Sequence, residues 1–237
     1  MVSTNSIAKP IYSGILILTT IVFIPSRAQD TDNHNKSELS ILTGARQFLN
    51  PNHLNFNLLE QTLIYFTNKA RRHYRLKPFS KENKLQNAAR LHSLEMASLN
   101  YFSHESPVSK NRKLSDRLKN TGLSLSNTIM GENIGFDYFL KIANVPHYKK
   151  YYKGKWVYIH HKTGEPIGYQ TYQEFASQMV IKWMKSPGHR KNILNRKFDR
   201  IGIGIAVGII NEFHAIYVTQ NLLGSLDEKQ TTRVLKK

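Results

Sequence analysis

Ile201-Gly202-Ile203-Gly204-Ile205-Ala206-Val207 is the stretch that decides the fold. Its large residues recur at every second position, the period of a β-strand, while Gly202, Gly204 and Ala206 leave the opposite face almost bare. A strand so slim on one side predicts a neighbour packed closely against it. A turn at 208–211 and a second run at 213–221 complete a β-hairpin, and past Gly224 the chain becomes polar and basic.

Upstream the period changes. Leu59, Leu63, Phe66, Ala70 and Tyr74 recur at helical spacing, and Pro78 ends that helix. Ser80 is placed to cap a second helix, in which Leu85, Ala88, Ala89, His92, Met96 and Leu99 share one face, so His92 points inward as a core histidine. A short helical turn starts at Ser115-Asp116-Arg117-Leu118 and ends near Gly122. Thr171 and Glu174 have capping-box spacing and open the last long helix, whose stripe of Phe175, Met179 and Trp183 reads as core and which stops at Ser186-Pro187-Gly188. Helices interleaved with a small, largely antiparallel sheet predict an α+β layered architecture, not a doubly wound one.

The 237 residues suit one folded unit with a sizeable core. Residues 1–28 read as a cleavable signal peptide: Lys9 in a short n-region, an apolar run at 11–24, and a small-x-small end at Ser26-Arg27-Ala28. The alternative, a retained anchor, has an apolar run shorter than the roughly 20 residues that span a bilayer. Cleavage after Ala28 removes Lys9 and Arg27 and no acid, so the formal charge of +18 becomes +16. No disulfide is available, since the chain has no cysteine. That absence fits an exported bacterial envelope protein better than a small secreted animal domain. Residues 29–56 read as a polar linker with one helical turn near 40–48, residues 57–224 as the domain, and residues 225–237 as a basic tail. The expectation is a monomer, periplasmic or extracellular, without a transmembrane span.

Three clusters combine ionisable side chains with turn residues: 101–107, containing Ser103, His104 and Glu105; Gly131-Glu132-Asn133-Ile134-Gly135; and 186–194, containing His189, Arg190 and Asn192. Each is read as an element boundary, where sites gather. In this order, with Trp183 ahead of the last and Asn68-Lys69-Ala70-Arg71 and Gln220-Asn221 at the ends, the sequence resembles the cysteine-free bacterial branch of the CAP superfamily over roughly 58–222. The resemblance implies a three-layer α-β-α sandwich whose cleft is lined by two histidines and two acids. Carried over by position, these are His104, His189 and Glu132; Ser186 stands where the second acid is expected. Asn133, Arg190 and Asn192 then support the cleft.

Two imidazoles and a carboxylate are suitable donors for a divalent metal such as Zn²⁺ with one position left open. Equally, Glu132 can fix a histidine tautomer within a metal-free polar cluster. Ser103 beside His104 lacks the Gly-x-Ser-x-Gly setting of a serine hydrolase. The reading is therefore a binder of a lipid, glycan or protein ligand, with a metal-assisted hydrolase of peptide or envelope-polymer bonds as the alternative. An insertion at 141–170 places Tyr151, Tyr152 and Trp156 among Lys153, Lys155 and other cations. This pattern is either a solvated basic hairpin or a contact surface for an anionic polymer. Nucleic acid draws only on the charge and that segment, and export argues against it.

Overall fold

The computed structural model describes residues 38–143 and 145–226; the signal-peptide reading at 1–28, the start of the linker and all but the first two residues of the basic tail lie outside them. The alternating stretch forms the central strand β5 (Arg200–Ile210) of a sheet built with β1 (Ser80–Lys81), β2 (Thr128–Tyr138) and β6 (Phe213–Ser225). The order is β1-β5-β6-β2, with β5–β6 and β6–β2 antiparallel and β1–β5 parallel. Four helices frame this sheet: α1 (Phe56–His73), α2 (Asn83–Ser98), α4 (Tyr172–Lys185) and the short α5 (Pro187–Ile193), with α3 (Leu114–Asn120) beside α2.

The two faces of β5 explain the three layers. Ile201, Ile203 and Ile205 are buried in one cluster with Leu59 and Leu63 of α1 and Phe175, Met179 and Trp183 of α4. On the slim face lies α2, close enough that a Cβ on Gly202 would stand 2.2 Å from the Gln86 backbone nitrogen and one on Gly204 2.0 Å from that of Arg90. The missing side chains thus let a helix backbone settle on a strand backbone. The fold is the expected α+β sandwich of helix, sheet and helix layers.

Several local expectations differ. Ser80 belongs to β1, and the α2 cap is Glu82, whose side chain accepts from the Lys84 amide. The β5–β6 turn sits at Asn211 and Glu212, both with positive φ, so Gly208 lies inside the strand. Ser186-Pro187-Gly188 ends α4 and at once starts α5, with Pro at a position that has no helical amide partner to lose. The capping box is formed as expected: Glu174 N donates to Thr171 Oγ1 at 3.1 Å and Thr171 N to Glu174 Oε2 at 2.8 Å.

The core also reaches upstream of the expected boundary at residue 57. Residues 38–44 are helical, and Ala45 and Leu49 are buried in the main cluster. Leu49 N donates to Gln170 O at 2.8 Å, while Gln173 N donates to Ala45 O at 2.9 Å. The second half of the supposed linker is a strap laid across the start of α4.

Candidate functional site

Glu132 is the centre of the site. The sequence placed it at an element boundary, yet it lies within β2, opposite Asn221 of β6. The flanking glycines are there for packing: a Cβ on Gly131 would meet the Phe198 ring at 2.9 Å, and one on Gly135 the Met179 sulfur at 2.6 Å. Alternation along β2 sends Glu132 toward the α2 layer and Asn133 toward the α4–α5 layer.

Three side chains converge on the Glu132 carboxylate. Arg117 Nη2, from α3, donates to Oε2 at 2.6 Å; His92 Nδ1, from α2, meets the same oxygen at 3.2 Å; and His104 Nδ1 meets Oε1 at 2.9 Å. Burial acts to raise the Glu132 pKa, but hydrogen bonds from His104 and His92 and the Arg117 charge overcome it and hold the carboxyl at about 2. An ionised carboxylate only accepts, so both Nδ1 atoms carry the hydrogen, and in the neutral ring each lone pair lies on Nε2. For His104, whose side chain is 56% exposed, that lone pair is accessible. For His92, fully buried, Nε2 meets no hydrogen-bond partner among the described residues.

His189 reaches the same region from the other layer, on α5. Burial lowers its pKa, and the charge of nearby His104 lowers it further. Asn133 and Asn192 fasten the two sides: Asn133 Nδ2 donates to His189 O at 3.3 Å and to Gln220 Oε1 at 2.8 Å, and Asn192 Nδ2 donates to Glu132 O at 3.0 Å and Asn133 Oδ1 at 2.8 Å. Asn192 thus bonds the backbone of Glu132 itself, and Asn133 holds the His189 segment. Arg190 lies elsewhere, with its guanidinium 5.2 Å from the Tyr74 ring centroid and Nη2 donating to Tyr74 Oη at 3.1 Å. Ser103 Oγ accepts from the Glu105 amide at 3.1 Å, which ties the hydroxyl into its own turn.

Sequence reasoning missed Arg117 and took His92 for plain core. Both carried a signal, a polar side chain on an apolar helical face, but nothing in the sequence shows that the two faces meet at Glu132. The Glu132 carboxylate, already held by a fixed cation and two imidazoles, is not disposed as a third metal ligand. Among the described residues no group of three His, Cys, Asp or Glu side chains is placed to hold a metal ion. The three-residue cage does not fit this arrangement.

His189 should titrate below the ordinary histidine value of 6.5. Its contribution to stability is then full above 6.5 and is lost as pH falls from there through the lowered value. In NMR titrations, His104→Ala should move the His189 pKa part of the way back up, since burial stays. An unmoved pKa would mean that the two rings do not sense each other.

A carboxylate on a sheet strand thus holds His104 from one side, and His189 comes near from the other. Residues 64–222 match CAP, the cysteine-rich secretory protein family, and the chain belongs to it. Among its relatives is the uncharacterized protein YkwD of Bacillus subtilis, 32% identical over 145 residues, which are 61% of this chain and 41% of that protein. The chain therefore spans less than half the length of that relative. Solved structures with a similar fold include an extracellular protein containing an SCP domain from Bacillus anthracis (26% identity, 72% of this chain, 41% of that chain, TM-score 0.45). Another is a cysteine-rich secretory protein from Staphylococcus aureus (16% identity, 72% of this chain, 40% of that chain, TM-score 0.43).

Proposed function

We propose that the protein is exported and binds a lipid, glycan or protein ligand at the cell envelope through the cleft formed by His104, Glu132 and His189, without transforming it. The supporting observation is the state of Glu132. A general acid or base works best with a pKa near the operating pH, whereas Glu132 is held at about 2 and saturated by Arg117, His92 and His104. Its role is to fix the His104 ring so that Nε2 faces the ligand. The leader-like residues 1–28 and the family's secretory character support export, and no helix among the described residues is long and apolar enough to cross a membrane.

A metal-assisted hydrolase is the alternative. It requires Glu132 to leave Arg117 before its carboxylate can face a metal. The two readings separate on protein purified without chelator or affinity tag and offered envelope fragments. Binding without product release, weakened about ten-fold or more by His104→Ala and by His189→Ala, is expected; a tenfold change corresponds to about 1.4 kcal/mol, the order of one hydrogen bond to a charged group. Stoichiometric metal lost in both variants, together with turnover abolished by chelation, would establish the hydrolase instead.

A further inference from the structure

The insertion builds a surface of its own. Strands β3 (His147–Tyr152) and β4 (Lys155–His160) form a hairpin with Tyr151 opposite Trp156 and Tyr152 opposite Lys155. Lys153 and Gly154 make the turn with φ of 49° and 81°, the mirror-image geometry that matches the strand twist. At its root the hairpin is anchored: Ile159 is buried, and the Tyr158 and Phe213 ring centroids lie 4.6 Å apart. Its outer half is not. Trp156 is 61% exposed and Tyr151 59%, a display of large rings that signals contact with a partner.

Cations stand beside these rings. Lys149 Nζ lies 5.5 Å from the Trp156 centroid and Lys153 Nζ 5.2 Å from that of Tyr152. Between Asp137 and Glu165 the sequence has no carboxylate. On one side of the hairpin tip is a recess of about 430 Å³, whose walls include Tyr152, Lys155, Val157, Ile167 and Tyr169. On the other, half-buried rings continue from Tyr158 through Phe213 and Tyr138 to Phe136, with centroid steps of 4.6, 5.5 and 6.3 Å. Phe102, two residues from His104, lies 5.2 Å beyond Phe136. The aromatic surface thus runs from the root of the hairpin to Phe102, beside the segment that carries His104.

We propose that this hairpin is a docking surface for an anionic glycan, a chain of pyranose rings bearing carboxylate or phosphate groups. Tyrosine and tryptophan offer flat apolar faces for the C–H side of a sugar ring and a polar edge for its hydroxyls. The lysines supply point charges for the acidic groups. Nucleic acid fits less well, because residues 147–160 contain no Arg, Asn or Gln, the side chains that best read base edges. A bilayer also fits less well: rings and lysines share both faces of the ribbon, and the tip is Lys153-Gly154-Lys155 instead of an apolar wedge.

The chain has two tryptophans and Trp183 is buried, so the exposed Trp156 reports binding by fluorescence. Full-length protein is titrated with polygalacturonate, a phosphomannan, neutral dextran, a single-stranded oligonucleotide and phosphatidylglycerol vesicles. A saturable, salt-sensitive response to one or both charged glycans but not to dextran is expected, and which glycan responds identifies the acidic group. By affinity electrophoresis, Trp156→Ala and the double change Lys153→Glu/Lys155→Glu should each weaken binding about ten-fold or more with thermal midpoints unchanged, while Lys119→Ala, an exposed lysine of α3, binds like the wild type. The proposal is overturned if the hairpin variants bind the glycans as the wild type does. It is overturned equally if the oligonucleotide or the vesicles bind more tightly than either glycan.

Discussion

Replacing Arg117 by methionine should lower stability by about 3–5 kcal/mol at neutral pH, because a buried carboxylate loses its fixed counter-charge. Arg117 and Glu132 are both buried, and the guanidinium also donates to the carbonyls of Asn111 at 2.9 Å, Arg112 at 3.2 Å and His104 at 3.3 Å. The substitution therefore frees the loop that carries His104 as well as the charge beneath it. Adding Glu132→Gln should recover part of the loss, since no unpaired anion is then left buried. The pH dependence gives an independent check. A carboxyl depressed to about 2 contributes stability that is full above its ordinary value of 4.5 and is lost as pH falls from there toward 2. Without Arg117 the depression is smaller, so the gap between wild type and variant should narrow over that interval in urea titrations. A constant gap would show that the ion pair does not set the Glu132 pKa.

Gly204→Ala should be comparably damaging although it adds one methyl group. Its Cβ would lie 2.0 Å from the Arg90 backbone nitrogen and 2.2 Å from the Ala89 carbonyl carbon, so no rotamer change relieves the clash. The α2 helix itself must back away from the sheet. Overpacking of this kind typically costs 1–3 kcal/mol, and a backbone-to-backbone collision belongs at or above about 3 kcal/mol. For a body of this size that is a fall of about 6–12 °C in the unfolding midpoint. Gly168→Ala is the control. A Cβ there meets nothing within 4 Å and the φ is ordinary, so a change within about 0.5 kcal/mol is expected. Equal midpoints for the two variants would refute the close approach of α2 and β5.

What the sequence discloses follows from how far apart the interacting residues lie. Alternation at 201–207, the helical stripe from Leu59 and the box at Thr171 and Glu174 are decided by neighbours a few positions away, and all three are legible. Glu132 misled because glycines on both sides resemble a turn, whereas Phe198 and Met179 demand them from across the structure. His92 reads as inward-facing and Arg117 is missed, because their meeting at one carboxylate depends on how α2 and α3 lie over β2. The grouping of His104, Glu132 and His189 came from family resemblance, not from spacing. The strap escaped because residues 45–49 make their bonds to residues 170–173, far along the chain.

The strap sets a lower limit on the part of the chain that can stand alone. The family match begins at residue 64, inside the first long helix, whereas among the described residues burial begins at Ala45. A fragment trimmed to the shared signature would remove Ala45, Leu49, Leu59 and Leu63 from the buried cluster and tend to aggregate. Genetic dissection of this protein should therefore keep the segment that carries Ala45 and Leu49 joined to the helices it covers.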